Sequence, residues 1–355
     1  MKKILFVLPI ITNCPSGGYK MVYEYANRLI SKGYDLSIAY GCYQFGIRWW
    51  IPRLIQRIYT RLAGALRIIK YPTWFSLDSR VKKLGIYSEN QAFNDYDVII
   101  ATAFSTAFIV ANQKNTKRFY FIQGFENWNG VTDEQVYHSY QLGLTNLVIT
   151  GWLKRIVDKV ISPKKSILLP NGLDFSIYYD QGAAREPYSV AMLYHASEYK
   201  GSKYGVDAIC KLKKKYPDLK AYLFGTPQRP SNLPSWIKYT QNINQTDLSK
   251  LYNRVSVYMY PSIQEGLGLT CIESMACGCA LAVTDYQGAG EFAFHEKTAL
   301  VSPICDSNAL AANVSRLFDN KELRDQMALN GMNFVQEHFD WNKSVEKLIH
   351  IIEDN

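Results

Sequence analysis

Two successive series of buried-strand and amphipathic-helix segments predict an α/β protein made of two doubly wound halves. The chain has 355 residues, more than one ordinary domain holds and comfortable for two. Hydrophobic residues make up 48% and charged residues 20%, the balance of a chain with a real core. Short apolar runs alternate with segments whose apolar positions recur at three and four, the signature of parallel strands joined by crossover helices.

Lys3 to Ile11 reads as the first buried strand. Two lysines and an apolar run could open a secretory leader. This run is short, holds Pro9 and leads into Pro15-Ser16-Gly17-Gly18 without a small-x-small cleavage pattern, so a strand and a Gly-Gly turn are expected. Tyr19 to Ser31 follows as a helix on Met21, Val22, Tyr25, Ala26, Leu29 and Ile30, capped by Gly33. Further strands are read at Asp35 to Tyr40, Asp97 to Thr102, Arg118 to Ile122 and Asn146 to Thr150. The second series has strands at Ser189–Tyr194, Lys220–Phe224, Ser256–Tyr260 and Ala280–Thr284. Its helices are read at Tyr204–Lys215, Asp247–Asn253 and Leu269–Ala276. A polar helical tail, Asp306 to Glu337, precedes a last amphipathic helix, Trp341 to Glu353. The expected organisation is an N-terminal domain over 1–170, joined by the helix of 341–355. A Gly-, Pro- and Asn-rich linker spans 171–187, and a C-terminal domain covers 188–340. Two such halves imply a cleft at the carboxyl ends of their strands.

No run of about 18 apolar residues occurs, so no membrane span is expected. Seven scattered cysteines, an odd number, point to buried thiols in a reducing compartment. Cys277-Gly-Cys279 lacks a second Cys/His pair at zinc spacing, and no metal is expected. The net charge of +9 fits nucleic acid, an anionic membrane surface or anionic small substrates.

The stretch Glu265-Gly-Leu-Gly-Leu-Thr-Cys-Ile-Glu273 narrows that choice. It follows a strand and opens a helix, which puts Glu265 at the mouth of the sheet. Gly266 and Gly268 let the backbone approach a ligand, and the helix start offers N–H donors suited to phosphate. Glu273, a turn or so further on, can accept paired sugar or ribose hydroxyls. The 25 residues PSIQEGLGLTCIESMACGCALAVTD (261–285) resemble, position by position, the E-x7-E signature of retaining GT-B glycosyltransferases of the GT4 type, glycosyl transferases group 1. PNGLD at 170–174, Gly17-Gly18 after the first strand and the final helix are similar to further marks of that family.

The resemblance implies two Rossmann-like domains and a nucleotide-diphosphate sugar as donor, with no cofactor and no metal. It places Glu273 on the ribose and Glu265 on the transferred sugar. The amides of Gly266, Leu267, Gly268, Leu269 and Thr270 fall on the donor's hydroxyls and phosphates, with Gly17 and Gly18 also at the donor. Lys200 matches the family's lysine against the leaving diphosphate. The arginine position holds His195, or else Lys203 substitutes. A departing diphosphate gains negative charge that needs such groups. The family's mechanism retains anomeric configuration, with a phosphate oxygen helping to take the acceptor proton.

YFIQGFENW (120–128) follows a buried strand and resembles a segment of some bacterial GT4 enzymes, rhamnosyltransferase-like members included. Gln123 and Glu126 are its candidate acceptor contacts; the alternative is a loop with Trp128 packed on the domain. A third stretch, IRWWIPRLIQRIYTRLAGALRIIK (47–70), carries an apolar stripe of Leu54, Ile58, Leu62, Ala65, Leu66 and Ile69. Arg48, Arg53, Arg57, Arg61, Arg67 and Lys70 accompany it without one acidic residue, and Trp49 and Trp50 add interfacial anchors. This composition fits a helix lying on an anionic membrane; the alternatives are a core-packed helix with a solvated basic face, or RNA binding.

The expected protein is therefore a cytoplasmic retaining glycosyltransferase, peripheral on the inner face of the cell membrane. It would move a hexose or deoxyhexose to a glycan or lipid-linked glycan in bacterial surface polysaccharide synthesis, and no nucleic acid is expected. A glycogen- or starch-synthase-like enzyme is the nearest rival, disfavoured by Ser16 where those carry lysine. A dehydrogenase is disfavoured because no G-x-G-x-x-G follows the first strand. A non-catalytic glycan-binding relative is the other alternative.

Overall fold

A computed structural model describes residues 2–41, 53–88, 90–127 and 130–354. Contacts divide the chain into two compact units, Met1–Pro170 with Lys343–Asn355, and Asn171–Asn342.

Unit 1 runs β1 (Lys3–Leu8), α1 (Gly17–Ser31), β2 (Asp35–Gly41), α2 (Arg53–Lys70), β3 (Lys82–Ile86), β4 (Val98–Ala101), α3 (Phe104–Ala111), β5 (Lys117–Ile122), α4 (Asp133–Tyr140), β6 (Thr145–Val148), α5 (Gly151–Ile161) and β7 (Ile167–Leu168). Its seven strands are ordered β3-β2-β1-β4-β5-β6-β7, each parallel to its neighbours. Ile4 to Leu8 are at most 1% exposed, the burial on both faces that a parallel sheet imposes. The first strand ends at Leu8 rather than Ile11, because Pro9 has no N–H for the ladder. Gly17 and Gly18 form the first helical turn of α1 rather than a turn before it, with Ser16 at the N-cap. Gly33 ends α1 at φ +91°. There the amides of Gly33 and Tyr34 return to the Ile30 and Leu29 carbonyls at 3.0 and 3.2 Å.

Unit 2 runs β8 (Glu186–Leu193), α6 (Ser202–Lys215), β9 (Lys220–Gly225), β10 (Lys238–Gln241), α7 (Gln245–Arg254), β11 (Val255–Tyr260), α8 (Leu269–Ala276), β12 (Ala280–Thr284), β13 (Leu300–Ser302), α9 (Ser307–Asp319) and α10 (Lys321–His338). The last helix, α11 (Trp341–Asp354), belongs to unit 1 from Lys343 onward. The six strands are ordered β10-β9-β8-β11-β12-β13, again all parallel. In both sheets the order reverses beside the first strand, between β1 and β4 and between β8 and β11. Open α/β sheets bind ligands beyond the strand ends at such a reversal.

Two expectations are corrected here. The polar tail is two helices, split at Asn320, whose side chain accepts from the Leu323 amide at 2.9 Å. The first of them, α9, is a core helix: Leu310, Val314 and Leu317 are fully buried against the sheet. The thiols are not uniformly buried, since Cys14 and Cys305 are exposed.

Candidate functional site

In unit 2 the carboxyl ends of β8 and β11 lie side by side, Val190 opposite Val257 and Ala191 opposite Tyr258. The chain leaves β8 through 194–201, with a 3-10 turn over Glu198–Lys200, and leaves β11 through 261–268. Backbone bonds tie these loops together: the Ile263 and Gln264 amides donate to the Tyr199 carbonyl at 2.8 and 3.2 Å. The approach is so close at Gly201, φ +62°, that a Cβ there would sit 1.9 Å from the Pro261 carbonyl oxygen. Only glycine combines this left-handed backbone with this contact.

The tie brings Lys200 and Glu265, one from each loop, into an ion pair whose side chains are 19% and 16% exposed. The Tyr260 hydroxyl, at the end of β11, donates to the same Glu265 oxygen at 2.6 Å. His195 stands beside them. Its amide donates to the Ser202 hydroxyl, which donates back to the His195 carbonyl, both at 2.9 Å. Burial, and next the charge of Lys200, lower its pKa from the usual 6.5, so the ring is predominantly neutral at pH 7. Nδ1 accepts from the Ser197 amide at 3.0 Å, which puts the neutral ring's proton on Nε2. Lys203, in the first turn of α6, is exposed, with its ammonium 5.0 Å from the Tyr204 ring centroid.

The glycine loop is clamped from the far side. Gly268 has φ +95°, and a Cβ there would meet the Tyr286 hydroxyl at 2.2 Å. That hydroxyl donates to the Leu267 carbonyl at 3.0 Å. Gly288 packs so closely on the Gly266 carbonyl that an added Cβ would lie 2.5 Å from its oxygen. The loop therefore delivers Leu269 and Thr270 into the first turn of α8, and Glu273 follows on the same helix. Glu273 is buried, and its charge helps raise the pKa of Tyr252, Tyr258 and Cys277. Burial pushes the Cys277 and Cys279 thiols up to about 12, and Cys279 donates to the Tyr252 carbonyl at 3.0 Å.

Unit 1 gathers a second set. The Gln123 side-chain amide, past the end of β5, donates to the Gly18 carbonyl at 3.2 Å. The Glu126 carboxylate accepts from the Phe104 amide, the first of α3, at 3.0 Å. It takes over the capping that Ala103 at the N-cap cannot provide. Burial pushes Glu126 up to about 7, partly offset by that bond. Its charge in turn raises Tyr19, Tyr120 and Tyr140.

Arg61 and Arg67 are exposed on α2. Trp49, Trp50 and Trp128 lie outside the described residues, as do the side chains of Arg53 and Arg57. Sequence reasoning missed Gly201, Tyr260, Tyr286 and Gly288. The signal for Gly201 was its place directly after Lys200. The other three act through contacts made by folding and leave no local pattern.

Residues 179–334 match the family model of glycosyl transferases group 1. An uncharacterized glycosyltransferase of Methanocaldococcus jannaschii is 24% identical over 218 residues, 59% of this chain and 59% of that protein. A second from the same organism is 21% identical over 327 residues, 81% of this chain and 83% of the relative. Among solved structures, Anabaena HepE in complex with UDP and glucose superposes with a TM-score of 0.74 at 14% identity, covering all of both chains. The fold is thus that of the GT-B glycosyltransferases, two Rossmann-like α/β units, and the stretch similar to glycosyl transferases group 1 lies within unit 2.

Proposed function

We propose that this chain is a retaining glycosyltransferase of the GT4 type that moves a hexose or deoxyhexose from a nucleotide sugar to a glycan or lipid-linked glycan. The observation that carries the reading is the Lys200–Glu265 pair, built from two loops at the strand-order reversal of unit 2. Lys200 takes the diphosphate's charge, and Glu265 and Tyr260 take hydroxyls of the transferred sugar. The amides from Gly266 to Thr270 serve the donor's phosphates and hydroxyls, and Glu273 serves the ribose. His195, neutral with its proton on Nε2, acts as a hydrogen-bond donor to phosphate rather than as a second cation, which leaves Lys203 to complete the charge. Gly17 and Gly18 assist at the donor. Gln123 and Glu126, on unit 1, are assigned to the acceptor. The bond from the anomeric carbon to the diphosphate oxygen breaks as the acceptor oxygen attacks the same face, and the acceptor proton passes to a phosphate oxygen.

HepE was solved with UDP and glucose, which supports a uridine nucleotide as the first donor to try. Rhamnosyltransferase-like chemistry rests on the Gln123–Glu126 segment. The setting is bacterial surface polysaccharide assembly, in the cytoplasm at the inner face of the cell membrane, without metal or cofactor. The neutral His195 is the one observation that favours a non-catalytic, glycan-binding alternative.

Thermal melts with a panel of UDP-, GDP- and dTDP-sugars test the proposal. The right donor at about a hundred times its Kd adds about 2.7 kcal/mol and is turned over with retention at the anomeric carbon. Glu273→Ala abolishes the shift. A shift without turnover on any glycan selects the non-catalytic alternative, and no shift with any donor refutes both.

A further inference from the structure

Of the large hydrophobic side chains exposed among the described residues, six lie on α2: Ile55, Ile58, Tyr59, Leu62, Leu66 and Ile69, each 52% to 70% exposed. The others, such as Tyr179, Phe294 and Leu329, are scattered through unit 2. Spaced three and four apart, the six form one continuous stripe. A core-packed helix buries such a stripe; α2 turns it outward. What attaches α2 to unit 1 is its opposite side, where Gly64 and Ile68 are buried. Two bonds to backbone carbonyls add to the attachment: the Tyr87 hydroxyl donates to Arg61 at 3.3 Å and Lys83 to Ile69 at 3.2 Å. By helical periodicity Arg61 borders one edge of the stripe and Arg67 and Lys70 the other, all three exposed. The helix has no acidic residue.

The geometry points to α2 as an in-plane membrane contact, its apolar stripe seated at the acyl boundary of an anionic lipid surface and its flanking cations among the headgroups. Charge complementarity selects this occupant. A soluble partner covering the stripe would need acidic groups on both sides of one apolar ridge, whereas an anionic bilayer presents that arrangement everywhere. The helix cannot cross instead: among the described residues no helix is long and apolar enough to span a membrane. The assignment deepens the peripheral-membrane reading above and rests on it for the acceptor alone.

Flotation with vesicles of phosphatidylcholine, alone or mixed with phosphatidylglycerol, tests it. The full chain binds the mixed vesicles and much less to the neutral ones. Each cation near an anionic surface is worth roughly fivefold in binding, so Arg61→Gln/Arg67→Gln/Lys70→Gln weakens mixed-vesicle binding roughly a hundredfold. Ile58→Ser/Leu62→Ser/Leu66→Ser abolishes binding to both. Exposed side chains contribute little to the fold, so both variants keep the wild-type Tm and the wild-type donor-induced shift. That retention separates failure here from failure of the donor reading. A wild type that floats with neither vesicle overturns the assignment, as do variants that float like wild type. A serine variant that melts lower, or that turns an oligomer into a monomer, also overturns it, by showing that protein covers the stripe.

Discussion

Replacing Glu126 by glutamine keeps an oxygen for the Phe104 amide and removes the ionisable group. In the unfolded chain this carboxyl titrates at 4.5, and in the fold burial lifts it to about 7. An acid whose pKa rises on folding costs the fold nothing while both states are protonated. The cost begins as pH passes about 4.5, grows to about pH 7 and is constant above. At about 1.4 kcal/mol per pH unit, the interval amounts to about 3 kcal/mol as an upper bound, since the residue is half-buried rather than sealed. For a unit of this size that is roughly 6–12 °C in Tm. Melts of wild type and Glu126→Gln across the range give the test. The two coincide near pH 4.5, and the variant becomes the more stable by up to that amount near pH 8. Parallel melting curves across the range would refute an elevated Glu126 pKa. The protonated form is also the one that can donate a hydrogen bond, so on the acceptor role proposed for Glu126 the KM for acceptor rises for wild type, and not for the variant, across the same interval.

Gly201→Ala places a methyl group 1.9 Å from the Pro261 carbonyl oxygen at φ +62°. The backbone conformation alone costs about 1–2 kcal/mol and the clash adds to it, so Tm falls by roughly 4–8 °C or more; a melt within about 2 °C of wild type contradicts the close approach of the two loops. Lys200→Ala lowers turnover roughly a hundredfold, the size of a lost electrostatic contact to developing charge, and near-normal turnover removes Lys200 from the leaving-group role.

What could be read in the sequence follows how local each feature is. The helix at Leu269–Ala276 and the strand at Ala280–Thr284 match the structure residue for residue, because a glycine loop and a fully apolar run mark their ends. Strands β3 and β10 were not legible: KKLGI and KYTQ carry too few apolar residues, being edge strands with one flank unpaired. Helix α9 read as polar because Asn308, Arg316 and Asp319 face outward and Ser307 and Asn313 add polar side chains on the buried side, while Leu310, Val314 and Leu317 align only at helical spacing. On α2 the pattern gave the apolar stripe, and nothing in the spacing said which way it would face. Burial of Gly64 and Ile68 decides that, a property of the edge they pack on. At the candidate site, Glu265, Glu273 and Lys200 stand in recognisable strings. Tyr260, which ends β11 and holds Glu265, and Tyr286, which lies beyond β12 and holds the glycine loop, have no distinguishing neighbours.

The Lys200–Glu265 pair makes each residue's role depend on the other. Before a donor binds, the two charges neutralise one another in a largely enclosed position. In the proposed reaction the donor's diphosphate, with more negative charge than one carboxylate, would compete for Lys200. With the ammonium turned toward it, Glu265 would keep the Tyr260 hydroxyl and gain acceptor capacity for the sugar hydroxyls the proposal assigns to it. The pair thus holds both groups in place without leaving either charge bare, a state that costs several kcal/mol for a buried ion. Lys200→Ala therefore strands Glu265 as well as removing a cation, and part of its effect is the penalty of that bare carboxylate. Adding Glu265→Gln to Lys200→Ala removes the penalty. Stability returns toward wild type in the double variant while turnover stays low, since the charge that meets the leaving group is still missing. If turnover recovered along with stability, Lys200 would be a structural counter-ion to Glu265 and nothing more.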